Sequence, residues 1–153
     1  MLRVFFLLLC TLLVSANLVG CADPQVRVGL SSTANLNLND FDEPLPVVVR
    51  VYQLNDDADF LKADFSDLWK DDLKALGNSL LTRDEVVMNP AAQMVLEYPR
   101  HDQTRFVAVM GVFRKPGENS WRDIQPVADG FISGRFASKV RVHFKGNTLE
   151  MVD

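Results

Sequence analysis

The chain has 153 residues, 16 Lys and Arg against 20 Asp and Glu for a net charge of −4, 48% hydrophobic residues and two cysteines. That length suffices for one two-layer core and is too short for two. The acidic balance speaks against a nucleic-acid binder, which carries a dominant basic footprint.

Arg3 precedes an apolar run from Val4 to Val14, broken by Ser15-Ala16-Asn17. About twenty apolar residues are needed to cross a bilayer, so this stretch reads as a secretory signal and not a span. Its end, Leu18-Val19-Gly20-Cys21, is similar in layout to bacterial lipoprotein signals, in which the cysteine is lipidated. We therefore expect cleavage after Gly20, a signal peptide over 1–20 and lipid on Cys21. Arg3 is the only charged residue removed, leaving −5, and Cys10 goes with it. The mature chain then has no second cysteine for an internal disulfide. Residues 21–25 form a lipidated tether. Ala22 to Gln25 spans at most about 14 Å, which keeps the domain, 26–153, near the membrane.

From Val26 the apolar residues alternate: Val26, Val28, Leu30, Ala34, Leu36 and Leu38 share one parity. The pattern predicts a long half-buried strand, interrupted near Ser31-Ser32. Asp40 to Pro46, with three acids and two prolines, reads as a connection. Val47 to Leu54 carries β-branched residues on both parities, so both of its faces should meet protein. These two strands form either a hairpin or a crossover between sheets.

The period then changes. Leu61, Phe65, Leu68, Trp69, Leu73 and Leu76 fall at helical spacing, predicting one apolar stripe laid on the β-core. Asp64 is placed to cap the better half, Gly77 to stop it, and a break is expected near Ala63. Further strands are expected over Leu80 to Met88, Gln93 to Tyr98 and Phe106 to Phe113, with turns at Asn89-Pro90, Pro99 to Gln103 and Lys115-Pro116-Gly117. A weaker, irregular region starts at Trp121 and includes Gly130 and Gly134. Val140, Val142 and Phe144 alternate with Lys139, Arg141, His143 and Lys145 before Gly146-Asn147, a primed-turn pair. With Lys145 facing Thr148, Phe144 meets Leu149 and Val142 meets Met151. Seven or eight short strands with one helical insertion predict a mainly β fold, a two-sheet β-sandwich.

Residues for catalysis are scarce. His101-Asp102 is half of a proton relay at best, and a polar turn is the plainer reading. No Gly-x-Ser-x-Gly nucleophile is present. Asn55, Asp57 and Asp59 open like a calcium loop. However, Phe60 stands where glycine is needed, and Ser66 where a bidentate Glu belongs. Acids at a helix entry explain the cluster better. No zinc spacing appears, so we expect no metal, no cofactor beyond the lipid on Cys21, and no enzyme. The stripe Lys139, Arg141, His143 and Lys145 either touches anionic head groups or, the favoured reading, protects the edge of a terminal strand.

Several pieces recur in a fixed order. They are the lipobox, Asn37-Leu38-Asn39-Asp40, then Pro46 through Leu54, then Phe60, Ala63-Asp64-Phe65, Leu68 and Leu76-Gly77. Arg83, Glu85, Pro90, Phe106-Val107-Ala108-Val109, Phe113-Arg114 and Trp121-Arg122 complete the series. This set resembles the outer-membrane lipoprotein of the type VI secretion system, the TssJ family. The resemblance implies a transthyretin-like sandwich and a lipid-held position at the outer membrane, facing the periplasm. It also implies a scaffolding role in the trans-envelope core complex, through binding the periplasmic domain of the large inner-membrane component. Family members make that contact with the loop between the first two strands. Here that loop is Asn39, Asp40, Phe41, Asp42, Glu43, Pro44 and Leu45, matched as a loop and not residue by residue. Ala91 departs from the glycine expected after Pro90. Two other readings stay open: a lipoprotein holding a small apolar ligand between its sheets, and an envelope hydrolase.

Overall fold

The computed structural model describes residues 24–127 and 138–152. Eight strands run in chain order as β1 (Gln25–Ser32), β2 (Val47–Leu54), β3 (Leu80–Met88), β4 (Gln93–Pro99), β5 (Phe106–Val112), β6 (Arg122–Pro126), β7 (Ser138–Lys145) and β8 (Thr148–Val152). Between β2 and β3 stand helices α1 (Ala58–Lys62) and α2 (Phe65–Leu76) and a short 3-10 turn. The strands form two sheets, ordered β4-β1-β7-β8 and β3-β2-β5-β6. This is the expected two-sheet sandwich with a helical insertion.

The sheets close on each other through alternating residues. Val26, Val28 and Leu30 of β1, with Val140, Val142 and Phe144 of β7, face Val47, Val49 and Val51 of β2 and Val107 and Val109 of β5, all buried. These apolar side chains form the core between the sheets. Burial of this area is the main favourable term in the fold.

β1 and β2 lie in different sheets, so the connection between them is a crossover and not a hairpin. β1 ends at Ser32, and Ala34 to Asn37 form a turn that places Leu36 in the core. The alternation beyond Ser32 continues across this turn without a strand beneath it. The β7–β8 hairpin has the expected register, with Lys145 opposite Thr148, Phe144 opposite Leu149 and Val142 opposite Met151. Gly130 and Gly134 lie outside the described residues.

The insertion breaks at Ala63, which is extended, as expected. Its stripe behaves differently from the expectation. Leu68 and Leu76 are fully buried, but Leu61 and Trp69 are half-exposed and Leu73 points largely to solvent. Beyond Trp69, Asp71 leaves helical geometry (φ −153°, ψ 64°), which shifts the phase of the last turn. Asp72 is thereby turned inward and Leu73 outward. The helices cover the outer face of β3-β2-β5-β6, where Arg50 donates to the Leu68 carbonyl at 2.7 Å. Arg122 secures the insertion from β6 by donating to the carbonyls of Phe60, Leu61 and Ala63 at the end of α1. A cation at that helix end also meets the negative end of the dipole.

Candidate docking site

The crossover from β1 to β2 carries the loop 39–45. Its shape follows from two asparagines. Asn39 Oδ1 accepts the backbone N–H of Phe41 (2.8 Å) and of Glu43 (3.0 Å), while its Nδ2 donates to Glu43 Oε2 (2.7 Å). The Asn39 N–H donates to the Glu43 carbonyl, and the Asp42 N–H to that of Asn39. Asp42 adopts a left-handed φ of 59° to close this turn, a conformation that Asp tolerates better than most residues. The loop is thus braced from inside by one side chain.

Asn37 fixes its base. This residue is 3% exposed and left-handed (φ 49°), a geometry for which Asn is well suited. Its Nδ2 donates to the Pro46 carbonyl and its Oδ1 accepts the Arg114 N–H, both at 2.9 Å. Its own N–H donates to Gly146 in the β7–β8 turn. One buried side chain ties the crossover to the β5–β6 connection, and its backbone ties it to the last hairpin. Outside, Asp40 pairs with Lys115. That lysine holds the Asp40 carboxyl below the usual carboxylate range, first by hydrogen bond and then by charge.

At the tip, Phe41 is 83% exposed between Asp40 and Asp42. It does not fold back over the end of the sandwich. Glu43 and Pro44 are also exposed, while Asn39 and Leu45 are half-buried, the Leu45 N–H donating to the Leu36 carbonyl.

Beside the loop base lies a surface cavity of about 450 Å³ lined by Phe65, Trp69, Val112, Phe113 and Arg114. Phe65 stacks edge-on against Trp121, with centroids 5.2 Å apart. Sequence reasoning had assigned Trp69 to the core; it lies at the rim of this cavity instead.

The remaining motifs separate cleanly. His101 and Asp102 are exposed, and His101 Nδ1 accepts the Gln103 N–H at 3.1 Å, so the pair is a polar turn. Gln53 secures that turn by accepting from the His101 N–H and the Thr104 hydroxyl. Asp56 accepts the Ala58 N–H at the entry of α1. Among the described residues no three His, Cys, Asp or Glu side chains are grouped to hold a metal, and no helix is long and apolar enough to cross a membrane. The basic stripe lies on β7, which is paired on both sides by β1 and β8. It therefore protects no edge, and that reading is corrected. Cys21 lies outside the described residues.

A charged cluster missed by sequence reasoning underlies α2. Asp72, 4% exposed, takes Arg83 Nε at 2.7 Å, the Tyr52 hydroxyl at 2.9 Å and Arg50 Nη1 at 3.2 Å, all on Oδ2. Glu85 completes it by accepting from Arg50 and Arg83. Arg50 and Tyr52, on one parity of a strand whose other parity is valine and Gln53, were its sequence signal.

Fold and loop together define a small single-core β-sandwich module with one helix-covered face and one braced, aromatic-tipped crossover. A family model described as "Type VI secretion lipoprotein, VasD, EvfM, TssJ, VC_A0113" matches residues 24–147. The chain belongs to this family of type VI secretion lipoproteins. No curated protein matches it. Among solved structures it is similar to the type VI lipoprotein TssJ1 from Pseudomonas aeruginosa (24% identity, 86% of this chain and 96% of that one, TM-score 0.75). It is also similar to Serratia marcescens Lip, described as a membrane-bound component of the type VI secretion system (23% identity, 86% and 98%, TM-score 0.77). A third similar chain is in a structure described as the type VI protein TssM C-terminal domain from EAEC (23% identity, 84% and 98%, TM-score 0.70).

Proposed function

We propose that this protein is a non-catalytic scaffold of the type VI secretion trans-envelope complex. In this reading it is held by lipid on Cys21 at the periplasmic side of the outer membrane. Its loop Asn39 to Leu45 binds the periplasmic domain of the large inner-membrane component. The observation that carries the reading is Phe41, exposed at the tip of a loop whose conformation is already fixed by Asn37 and Asn39. A large aromatic ringed by charges is the usual make-up of a hot spot, and a loop ordered before contact loses little entropy on docking. Membership in the lipoprotein family, and likeness to a chain from the TssM structure, support a partner of this class.

The test is co-isolation from solubilised envelopes. Phe41→Ala should reduce recovery of the inner-membrane component at least ten-fold while the melting temperature stays within a degree or two of wild type. Undiminished recovery would move the interface away from this loop. Loss of recovery together with a large drop in melting temperature would make Phe41 structural.

A further inference from the structure

Among the described residues, the outer face of β4-β1-β7-β8 carries no helix. On it stand Arg27, Lys139, Arg141 and Lys145, with Val95, Glu97, Glu150 and Val152, all exposed. The register places Lys139 beside Arg27, Arg141 between Gly29 and Val152, and Lys145 opposite Thr148. Arg27 is paired with Glu97 at 2.6 Å, and Glu150 lies opposite His143. Lys139, Arg141 and Lys145 therefore have no acid opposite them, and none forms an ion pair among the described residues. Gly29 leaves open the surface that the Arg141 stem crosses. The helix-covered side is the reverse, with Asp56, Asp57, Asp59, Asp64, Asp67 and Asp71 in or beside α1 and α2. A chain of negative net charge thus turns one face with a basic excess outward.

The amino-terminal end of the described residues lies on the same sheet. β1 starts at Gln25, and Cys21 stands only four residues earlier, a reach of at most about 14 Å. Lys139 sits one strand over from Arg27, near that end, and Lys145 is six residues farther along, about 20 Å. We propose that this face lies against an anionic phospholipid surface, with Lys139, Arg141 and Lys145 contacting the head groups. The proposal rests on Cys21 being the lipid anchor. Each cation beside such a surface strengthens binding roughly five-fold, so three together contribute on the order of a hundred-fold. Face-down placement leaves the helices and the acidic loop tip clear of the lipid.

The mature lipidated protein, with a single spin-labelled cysteine, tests this in vesicles of phosphatidylcholine alone or with phosphatidylglycerol. Val95→Cys places the label on the basic face and Val87→Cys on the opposite sheet. In anionic vesicles at low salt the Val95 label should lose access to a water-soluble nickel quencher several-fold, and the Val87 label should not. High salt should restore access, because it shortens the screening length to a few ångströms. So should the triple variant Lys139→Gln, Arg141→Gln, Lys145→Gln. Equal access in both vesicles, or protection that survives the triple variant, would overturn the proposal while leaving the anchor intact. Protein that floats with neither vesicle would overturn the anchor and the proposal with it. Protection seen only after adding the inner-membrane component would make the face a protein interface instead.

Discussion

Tyr52 donates its hydroxyl to Asp72 Oδ2 at 2.9 Å across the junction between β2 and α2. The same oxygen takes Arg83 and Arg50, so one carboxylate holds a helix to a sheet through three donors. Removing its charge leaves two guanidinium groups with less compensation, and Arg50 is largely buried. Breaking such a pair from one side costs about 3 kcal/mol or more. Asp72→Asn should therefore lower the urea midpoint without changing the slope of the transition. A midpoint equal to wild type would show that Glu85 alone suffices for both arginines.

Burial, and then the neighbouring Asp72 charge, push the Tyr52 hydroxyl far above its ordinary value of 10. The folded protein therefore keeps a proton that the unfolded chain releases. The stability from this group is complete below about pH 10 and is lost as pH rises from there toward the folded value. Tyr98 shifts in the same direction, chiefly by burial, so the contrast between variants isolates Tyr52. Tyr52→Phe should flatten the fall of unfolding free energy above pH 10, measured by urea melts at stepped pH. An unaltered slope would place the effect elsewhere.

Ala91 sits at a left-handed φ of 53°, held by its N–H to the Thr33 carbonyl and by the Ser32–Ala92 bonds beside it. A side chain there costs roughly 1–2 kcal/mol. Glycine removes that strain and gives back part of the gain through its unfolded-state entropy. Ala91→Gly should raise stability by about 1 kcal/mol, read as a higher melting temperature. A lower one would mean that the turn gains more from the methyl group than it loses.

The two tryptophans differ. Trp121 is buried against Phe65, with Arg122 stacked 4.6 Å from its ring, while Trp69 is 50% exposed. Acrylamide should quench about half of the emission readily and the rest poorly. Trp121→Ala should cost about 3–5 kcal/mol, and Trp69→Ala clearly less. Equal costs would place both rings in the core.

Local pattern carried much of this fold into the sequence. The last hairpin was readable because turn chemistry and the two alternating strands each demand the same register. The break near Ala63 was also expected, and Ala63 is extended. What failed was longer in range. The stripe over 61–76 assumed regular helix beyond the break near Ala63, but Asp71 leaves helical geometry, and Asp72 beside it is bonded to Arg50, Tyr52 and Arg83. The place of β7 inside its sheet depends on parallel pairing with β1, more than a hundred residues away, which no local pattern carries. At the candidate site the residues 39–45 were legible as a loop of acids around Phe41. The bracing by Asn37 and Asn39 was not, because it depends on which backbone groups the fold brings to their side chains, Arg114 and Pro46 among them.

β1 joins the two ends of this molecule. Its first residue follows directly on the chain's amino-terminal side, and the braced crossover leaves from its other end, beside the Gly146 turn. It is paired along its length with β4 on one side and β7 on the other. Traction between the amino-terminal side and Phe41 would therefore run along the strand axis. Both ladders would resist in shear, their hydrogen bonds failing together rather than one by one as in a strand peeled from an edge.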